Sequence, residues 1–268
     1  MHLVACVRTP KDLEAAASVL GGVLGLTLAE ARIRLAPEPP SILASLMPEA
    51  ASQLVARLRQ AGLAVLGVDG AEHAQGQRLV ARTATLEPTG AVFQSREGTA
   101  LPLAWAEVSA LFRGASTVRS ESAVLQQKAK FSLSTAIATQ GLKMSRKEEH
   151  TVRSQQEETE QVILLYGKGG QQVVLRERGL DFAFLGAAMQ PTRIANMAAV
   201  ARLLKDKTPG AFYDERLLRL GRRPLPAFVG GETHVQMGKT SQTRLDTAEG
   251  LEVLGRALWR AVEEGLLP

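Results

Sequence analysis

The chain has 268 residues, 45% of them hydrophobic, which is enough apolar material for a sizeable core and one to three domains. No apolar run approaches the roughly 20 residues a helix needs to cross a bilayer. The formal net charge is +5, spread along the chain: 6 Lys and Arg against 7 Asp and Glu in residues 1–75, 18 against 14 in 76–215, and 8 against 6 in 216–268, a mixed-charge surface rather than a dedicated nucleic-acid surface.

From the N-terminus, His2–Val7 reads as a short buried strand. Cys6, the one cysteine, lies within it and reads as a small buried hydrophobe, with no base beside it to form a thiolate. Thr9 followed by Pro10 supplies a helix cap and a first helical position, and Leu13, Ala16, Ala17, Leu20 and Val23 follow at helical spacing. Gly21, Gly22 and Gly25 interrupt the pattern, so two short helices joined by a tight turn are expected. Thr27 caps the second, with Glu30 completing a capping box, and Pro37, Pro39 and Pro40 end it. Ser41–Leu46 reads as a strand. Pro48–Ala61 is a third helix with Ala51, Leu54, Val55 and Leu58 on one face, closed by Gly62, and Leu63–Val68 is a last strand. The order β-α-α-β-α-β over residues 1–70 predicts a small open sandwich with its helices on one side of a sheet.

The stretch GLTLAEARIRLAPEPPSILASLMPEAASQLVARLRQAGLAVLGVD resembles the C-terminal domain of the bacterial ribosomal stalk protein. That domain has a Gly-Leu-Gly-Leu-Lys-Glu-Ala-Lys turn and helix, then a proline, a short strand, a helix and an Ala-Gly before its last strand. Here Gly25, Leu26, Leu28, Glu30 and Ala31 match in place, and Pro37 and Ala61-Gly62 match at the right distances, over about a quarter of the chain. The resemblance implies the same α+β fold. In that family a lysine-bearing helix face recruits translation GTPases, and here the two lysine positions hold Ala29 and Arg32. Two readings stand. One is a docking module that uses Arg32 and Arg34. The other is a reused fold whose weakly charged helices pack against the rest of the protein.

Ala71–Gln77 is a polar connector and marks a domain boundary. In residues 77–215, Arg78–Leu86 alternates as a strand, Pro88-Thr89-Gly90 turns, and Ala91–Gln94 and Ala100–Trp105 are strands across Arg96-Glu97-Gly98. Glu107–Phe112 continues as a strand or short helix. Gln161–Tyr166 and Gln171–Leu175 form a hairpin across Gly167-Lys168-Gly169-Gly170. Pro191–Lys207 reads as an amphipathic helix burying Ile194, Met197, Val200, Ala201 and Leu204. Short antiparallel strands followed by one helix predict a curled sheet or a barrel-like one, plugged by that helix. The element order is similar to that of pleckstrin-homology-type domains, an analogy that does not license lipid binding; a membrane surface enters as a possible partner through the basic interval that follows.

A long, mostly polar interval separates Phe112 from Gln161. So long an interval without local structure is uncommon in a compact domain, and where it occurs it is functional or disordered. Lys128, Lys130, Lys143, Arg146 and Lys147, with Phe131 among them, are candidates to line a groove for an anionic partner: RNA, the ribosome or a lipid headgroup. Glu148, Glu149, Glu157, Glu158 and Glu160 balance them, which is the pattern of a solvated edge. His150 has no second histidine at ligand spacing, so no metal site is read. Ser132–Thr139 reads as an amphipathic helix or a strand, broken by Gly141.

Residues 216–268 read as a basic linker and a docking helix. Arg216, Arg219, Arg222 and Arg223 form a basic run ending at Pro224 and Pro226, and Arg222 and Arg223 join the binding candidates. GGETHVQMGKTS ends as a phosphate loop does, but the required first glycine falls at Thr233 and no helix opens after Thr240, so no nucleotide site is read. Asp246 caps a helix running to Glu264, with Leu251, Leu254, Leu258 and Val262 on one face and Trp259 beside them. Such a helix docks on the main body or, if its stripe is exposed, on a partner.

No nucleophile elbow, metal cluster or dinucleotide fingerprint is present, and the four histidines are scattered at 2, 73, 150 and 234. The sequence therefore assigns no catalytic residue, cofactor or metal. The lone cysteine and the lack of a basic-then-apolar leader point to the cytoplasm. The bias toward Ala, Leu, Gly and Arg, with Asn196 the one asparagine, fits a GC-rich bacterial genome. The expectation is an α+β, non-enzymatic adaptor or scaffold acting through protein–protein contacts, with anionic-ligand binding through residues 128–147 as the alternative.

Overall fold

A computed structural model of the protein describes residues 2–69, 78–131, 145–222, 231–237 and 240–267. The fold is mixed α+β, in two units. The first takes Met1–Ser116, Thr159–Gly230 and Thr247–Pro268, and the second takes Thr117–Glu158 and Gly231–Asp246. This division cuts across boundaries near 70 and 215. The N-terminal part, most of the β-rich middle and the C-terminal helix share one unit.

The N-terminal elements follow the expected order: β1 (His2–Cys6), α1 (Leu13–Leu24), α2 (Leu28–Leu35), β2 (Ser41–Leu46), α3 (Pro48–Gln60) and β3 (Val65–Asp69). The strands form an antiparallel sheet in the order β2-β1-β3. Helix α1 is capped by Asp12, whose side chain accepts from Ala15 N–H at 3.0 Å, and Thr9-Pro10 stay outside the helix. Asp is the stronger capping residue of the two available. Gly25, at φ 67°, ends α1 in the left-handed region. The Thr27 and Glu30 capping box forms in both directions, with Thr27 N–H donating to Glu30 at 2.8 Å and Glu30 N–H donating to Thr27 Oγ1 at 3.3 Å.

One face of this sheet packs on its helices through Val4, Leu20, Leu43, Leu54, Leu58 and Val65. The other face, with Leu3, Val7, Ile42, Leu66 and Val68, is also buried. Sequence reasoning placed helices on one side only. The second side is covered by α5 (Ala248–Glu263), because β1 reads apolar at consecutive positions, as a strand buried on both faces does.

The middle of the chain supplies β4 (Arg78–Ala81), β5 (Thr83–Leu86), β6 (Gly90–Gln94), β7 (Ala100–Ala104), β8 (Val108–Phe131), β9 (Ser145–Gly167) and β10 (Gln172–Arg176). Then come α4 (Arg193–Lys207), β11 (Phe212–Asp214), a 3-10 turn over Arg216–Arg222, β12 (Gly231–Met237) and β13 (Thr240–Asp246). The larger sheet runs β12-β13-β8-β9-β10-β4, with β11 parallel to β8, while β5-β6-β7 form a separate antiparallel sheet. These sheets are open, so the barrel-like closure expected from strand order is not found. The single strand expected over Arg78–Leu86 is divided at Arg82, with β4 pairing parallel to β10 and β5 antiparallel to β6.

The expected β9–β10 hairpin forms, with Tyr166 opposite Gln172 and Gly167 N–H donating to Gln171 C=O at 2.8 Å. Helix α4 buries Met197, Val200, Ala201 and Leu204 against β8, β9, β10 and the small sheet. Ile194, expected on that face, is 58% exposed. The buried face begins instead at Asn196, whose amide accepts from Gln190 N–H at 2.6 Å and donates to Gln190 C=O at 3.0 Å. Helix α5 starts after Thr247, and Asp246 ends β13 rather than capping the helix. Its Leu251, Leu254, Ala257, Leu258 and Ala261 share a core with β1–β3 on one side and with Phe112, Leu164, Tyr166 and Val174 on the other. No single described helix is long and apolar enough to cross a membrane.

Candidate interaction surface

The second unit is a sheet built from polar strands. Of its 58 residues, 16 are apolar, against 45% for the whole chain. Strand β13 pairs antiparallel with β8 from Thr240↔Val124 to Asp246↔Val118, and β12 pairs antiparallel with β13 from Gly231↔Asp246 to Met237↔Thr240, both without a register shift. Thr-rich strands without proline suit a pleated ladder. On the adjoining strand β9, Glu157 receives Arg119 of β8 at 3.0 Å, an exposed cross-strand pair worth about 0.2–1 kcal/mol.

The order β12-β13-β8-β9 leaves two outer edges among the described residues: β12, and β9 over residues 145–158. They differ in chemistry. Residues 145–158 hold seven charged side chains in fourteen, which blunts an edge against further pairing. Strand β12, GETHVQM, holds one charge in seven, with no lysine, proline or bulge to guard it.

The sequence-predicted binding residues fall in three places. Arg32 and Arg34 are both on α2 but reach different partners: Arg32 pairs with Glu14 of α1, and Arg34 donates to Leu43 C=O at 3.1 Å. Lys128 and Lys130 lie in β8 and Arg146 and Lys147 in β9, so the structure brings these four into adjoining strands. Lys143 lies outside the described residues, as do Arg223 and the stretch Ser132–Thr139. The unit as a whole carries nine Lys and Arg against seven Asp and Glu, a balanced surface. Arg222 ends the 3-10 turn. Two other arginines of that run are engaged locally, Arg216 with Asp214 at 2.6 Å and with Val7 C=O at 3.0 Å, and Arg219 with Glu38 at 3.0 Å.

Two polar clusters in the first unit escaped sequence reasoning. In one, Glu252 of α5 receives Arg78 Nε at 2.8 Å and Nη2 at 2.7 Å, and buried Gln172 donates to Tyr166 Oη at 3.3 Å. Burial pushes the Tyr166 phenol well above its ordinary range, and its ring stacks on Trp259 at 5.4 Å. Fully buried, this side chain packs the helix against the sheet through its stacking on Trp259. In the other, the Glu215 carboxylate accepts from Tyr213 Oη and from Arg113 at 2.9 Å, while Lys205 Nζ stands 4.4 Å from the Tyr213 ring centroid. The Tyr213 hydrogen bond, with Arg113 behind it, holds the Glu215 carboxyl below its ordinary range. The ion pair at the centre of each cluster, Arg78 with Glu252 and Arg113 with Glu215, joins residues more than 100 positions apart, so no local motif announced it. Among the described residues no group of three or more His, Cys, Asp or Glu side chains is placed to hold a metal ion. Gly238 and Lys239 lie outside the described residues, and the stretch after them, Thr240–Asp246, is a strand where a phosphate loop needs a helix.

Compared with protein-family models, with curated proteins and with solved structures, the chain matches none.

Proposed function

We propose that the protein is a non-enzymatic cytoplasmic adaptor whose contact surface is the β12 edge of the polar sheet, where an extended strand of a protein partner adds by backbone hydrogen bonding. The observation that carries this reading is the difference between the two edges: one charge in seven on β12, against seven in fourteen over residues 145–158. A polar sheet with one unguarded edge offers a row of N–H and C=O groups and little else, and a strand is what satisfies such a row. Anionic-ligand binding through Lys128, Lys130, Arg146 and Lys147 is the second reading, supported by their placement on adjoining strands and weakened by the unit's balanced charge.

The test is capture from the protein's own cell extract, with nuclease, by the wild type and by Thr233→Pro and His234→Pro. Successive residues of a strand direct their N–H groups to opposite sides, so one of these two prolines removes an outward donor and leaves the β12–β13 ladder intact. A protein partner that survives nuclease and is lost from the variant with wild-type circular dichroism supports the reading. Retention by both variants overturns it. Capture that vanishes on nuclease treatment or falls steeply with salt transfers the function to the basic strands.

A further inference from the structure

We infer that the strand added to β12 is β12 of a second copy of this chain, so that the β12-edged sheets of two copies join antiparallel about a two-fold axis. The inference rests on β12 as the docking edge and names its occupant. The strand is self-complementary. With the axis at His234, all seven residues find a place: Gly231 opposite Met237, Glu232 opposite Gln236, Thr233 opposite Val235, and His234 opposite its own copy. The single carboxylate, Glu232, meets an amide rather than a like charge. Cross-strand pairing of Thr with a β-branched Val is favourable, and like charges placed opposite each other are not. The ladder from Gly231↔Asp246 to Met237↔Thr240 runs without a bulge, the feature that twists an edge strand away from a partner.

The opposite edge explains why growth stops at two copies. An assembly that repeated edge to edge would need residues 145–158 to pair as well, and their seven charges oppose it. A two-fold contact through β12 uses that edge once in each copy and closes.

The test is sedimentation velocity of the full chain over a concentration series, with two charge variants designed on the opposed positions. One carries Thr233→Lys with Val235→Lys, the other Thr233→Glu with Val235→Glu. The wild type is expected at twice 28.7 kDa, each variant alone at 28.7 kDa, and an equimolar mixture back at twice that mass. A wild type that stays at 28.7 kDa at every concentration overturns the inference, as does a charge variant that remains dimeric alone. So does a mixture that stays monomeric with wild-type circular dichroism. If a charge variant loses that spectrum, Thr233→Pro and His234→Pro take its place, and persistence of the dimer in both is the overturning result. A monomeric wild type that still captures a partner through β12 sinks the second copy and keeps the docking edge. A dimer through β12 that captures nothing sinks the adaptor and keeps the second copy.

Discussion

Gly255, in the middle of α5, ought to weaken the helix, and the structure predicts that replacing it makes matters worse. A mid-helix glycine is about 1 kcal/mol less favourable than alanine, so Gly→Ala on an open helix face stabilises. At Gly255 an added Cβ would sit 2.4 Å from Leu164 Cδ1 and 3.0 Å from Tyr166 Oη. Both side chains are fully buried, in the core between α5 and the larger sheet, so neither has room to withdraw. Overpacking of this kind costs about 1–3 kcal/mol, which exceeds the propensity gain. Gly255→Ala should therefore lose about 1 kcal/mol net, and the bulkier Gly255→Val more. Gly22, exposed on α1, is the control: nothing lies within 4 Å of its Cβ position, and Gly22→Ala should gain up to about 1 kcal/mol. For a unit of this size that amounts to opposite shifts of about 2–4 °C in Tm, read by thermal and urea unfolding followed by circular dichroism. If Gly255→Ala stabilises as Gly22→Ala does, the close approach of α5 to Leu164 is not what the glycine is for.

Four further outcomes are expected. Cys6 is 1% exposed, its thiol donates to Arg8 C=O at 3.2 Å, and burial pushes its pKa up to about 11, so a thiol reagent should label it in denaturant and not in the native state at mildly alkaline pH. Burial raises both phenols of the chain above their ordinary value of 10.0, so the folded state favours the neutral form; its stabilisation is complete below that value and is lost as the pH climbs above it. Phenolate absorbance in the native protein should accordingly appear at higher pH than in denaturant, together with unfolding. Glu252→Ala strips Arg78 of both its carboxylate contacts and should cost about 2 kcal/mol in urea unfolding, a value discounted for side chains that are 31% and 17% exposed, with Glu252→Gln losing less. A fragment of residues 1–70 should show no cooperative unfolding transition of its own, and a sharp one would contradict the double burial of its sheet.

Residues 1–70 were legible because their signals are local. Asp12, Thr27 with Glu30, Gly25 and Gly62 act within one turn of where they stand, and the one misplaced cap was decided between two nearby acceptors. The β9–β10 hairpin was legible for the same reason. The second unit was not. Its strands β8 and β9 run 24 and 23 residues, and past the core they lose the apolar alternation that marks a strand with one buried face. Strands β12 and β13 join them from more than 70 residues away along the chain, so a division into contiguous domains could not find the unit. The arginines of α2 and of the 216–223 run share one feature that the sequence does not display. Arg32, Arg34, Arg216 and Arg219 all hold carboxylates or carbonyls of this chain, and composition alone cannot separate a cation that ties elements together from one that waits for a ligand.

The double burial of the N-terminal sheet bears on what residues 1–70 can do. The face toward α5 carries Leu3, Val7, Ile42, Leu66 and Val68, each at most 7% exposed. At about 1.5–3 kcal/mol for each large side chain, leaving them bare forfeits on the order of 10 kcal/mol. A 70-residue module has a total stability of only about 4–10 kcal/mol, so this one draws its stability from the last twenty residues of the chain. That argues against a detachable docking module of the ribosomal-stalk kind swinging free of the body. On the outward helix faces, where the stalk family meets its partners, Arg32 is paired with Glu14 and Arg34 with β2. The adaptor reading therefore keeps its contact on β12 of the second unit and assigns none to residues 1–70.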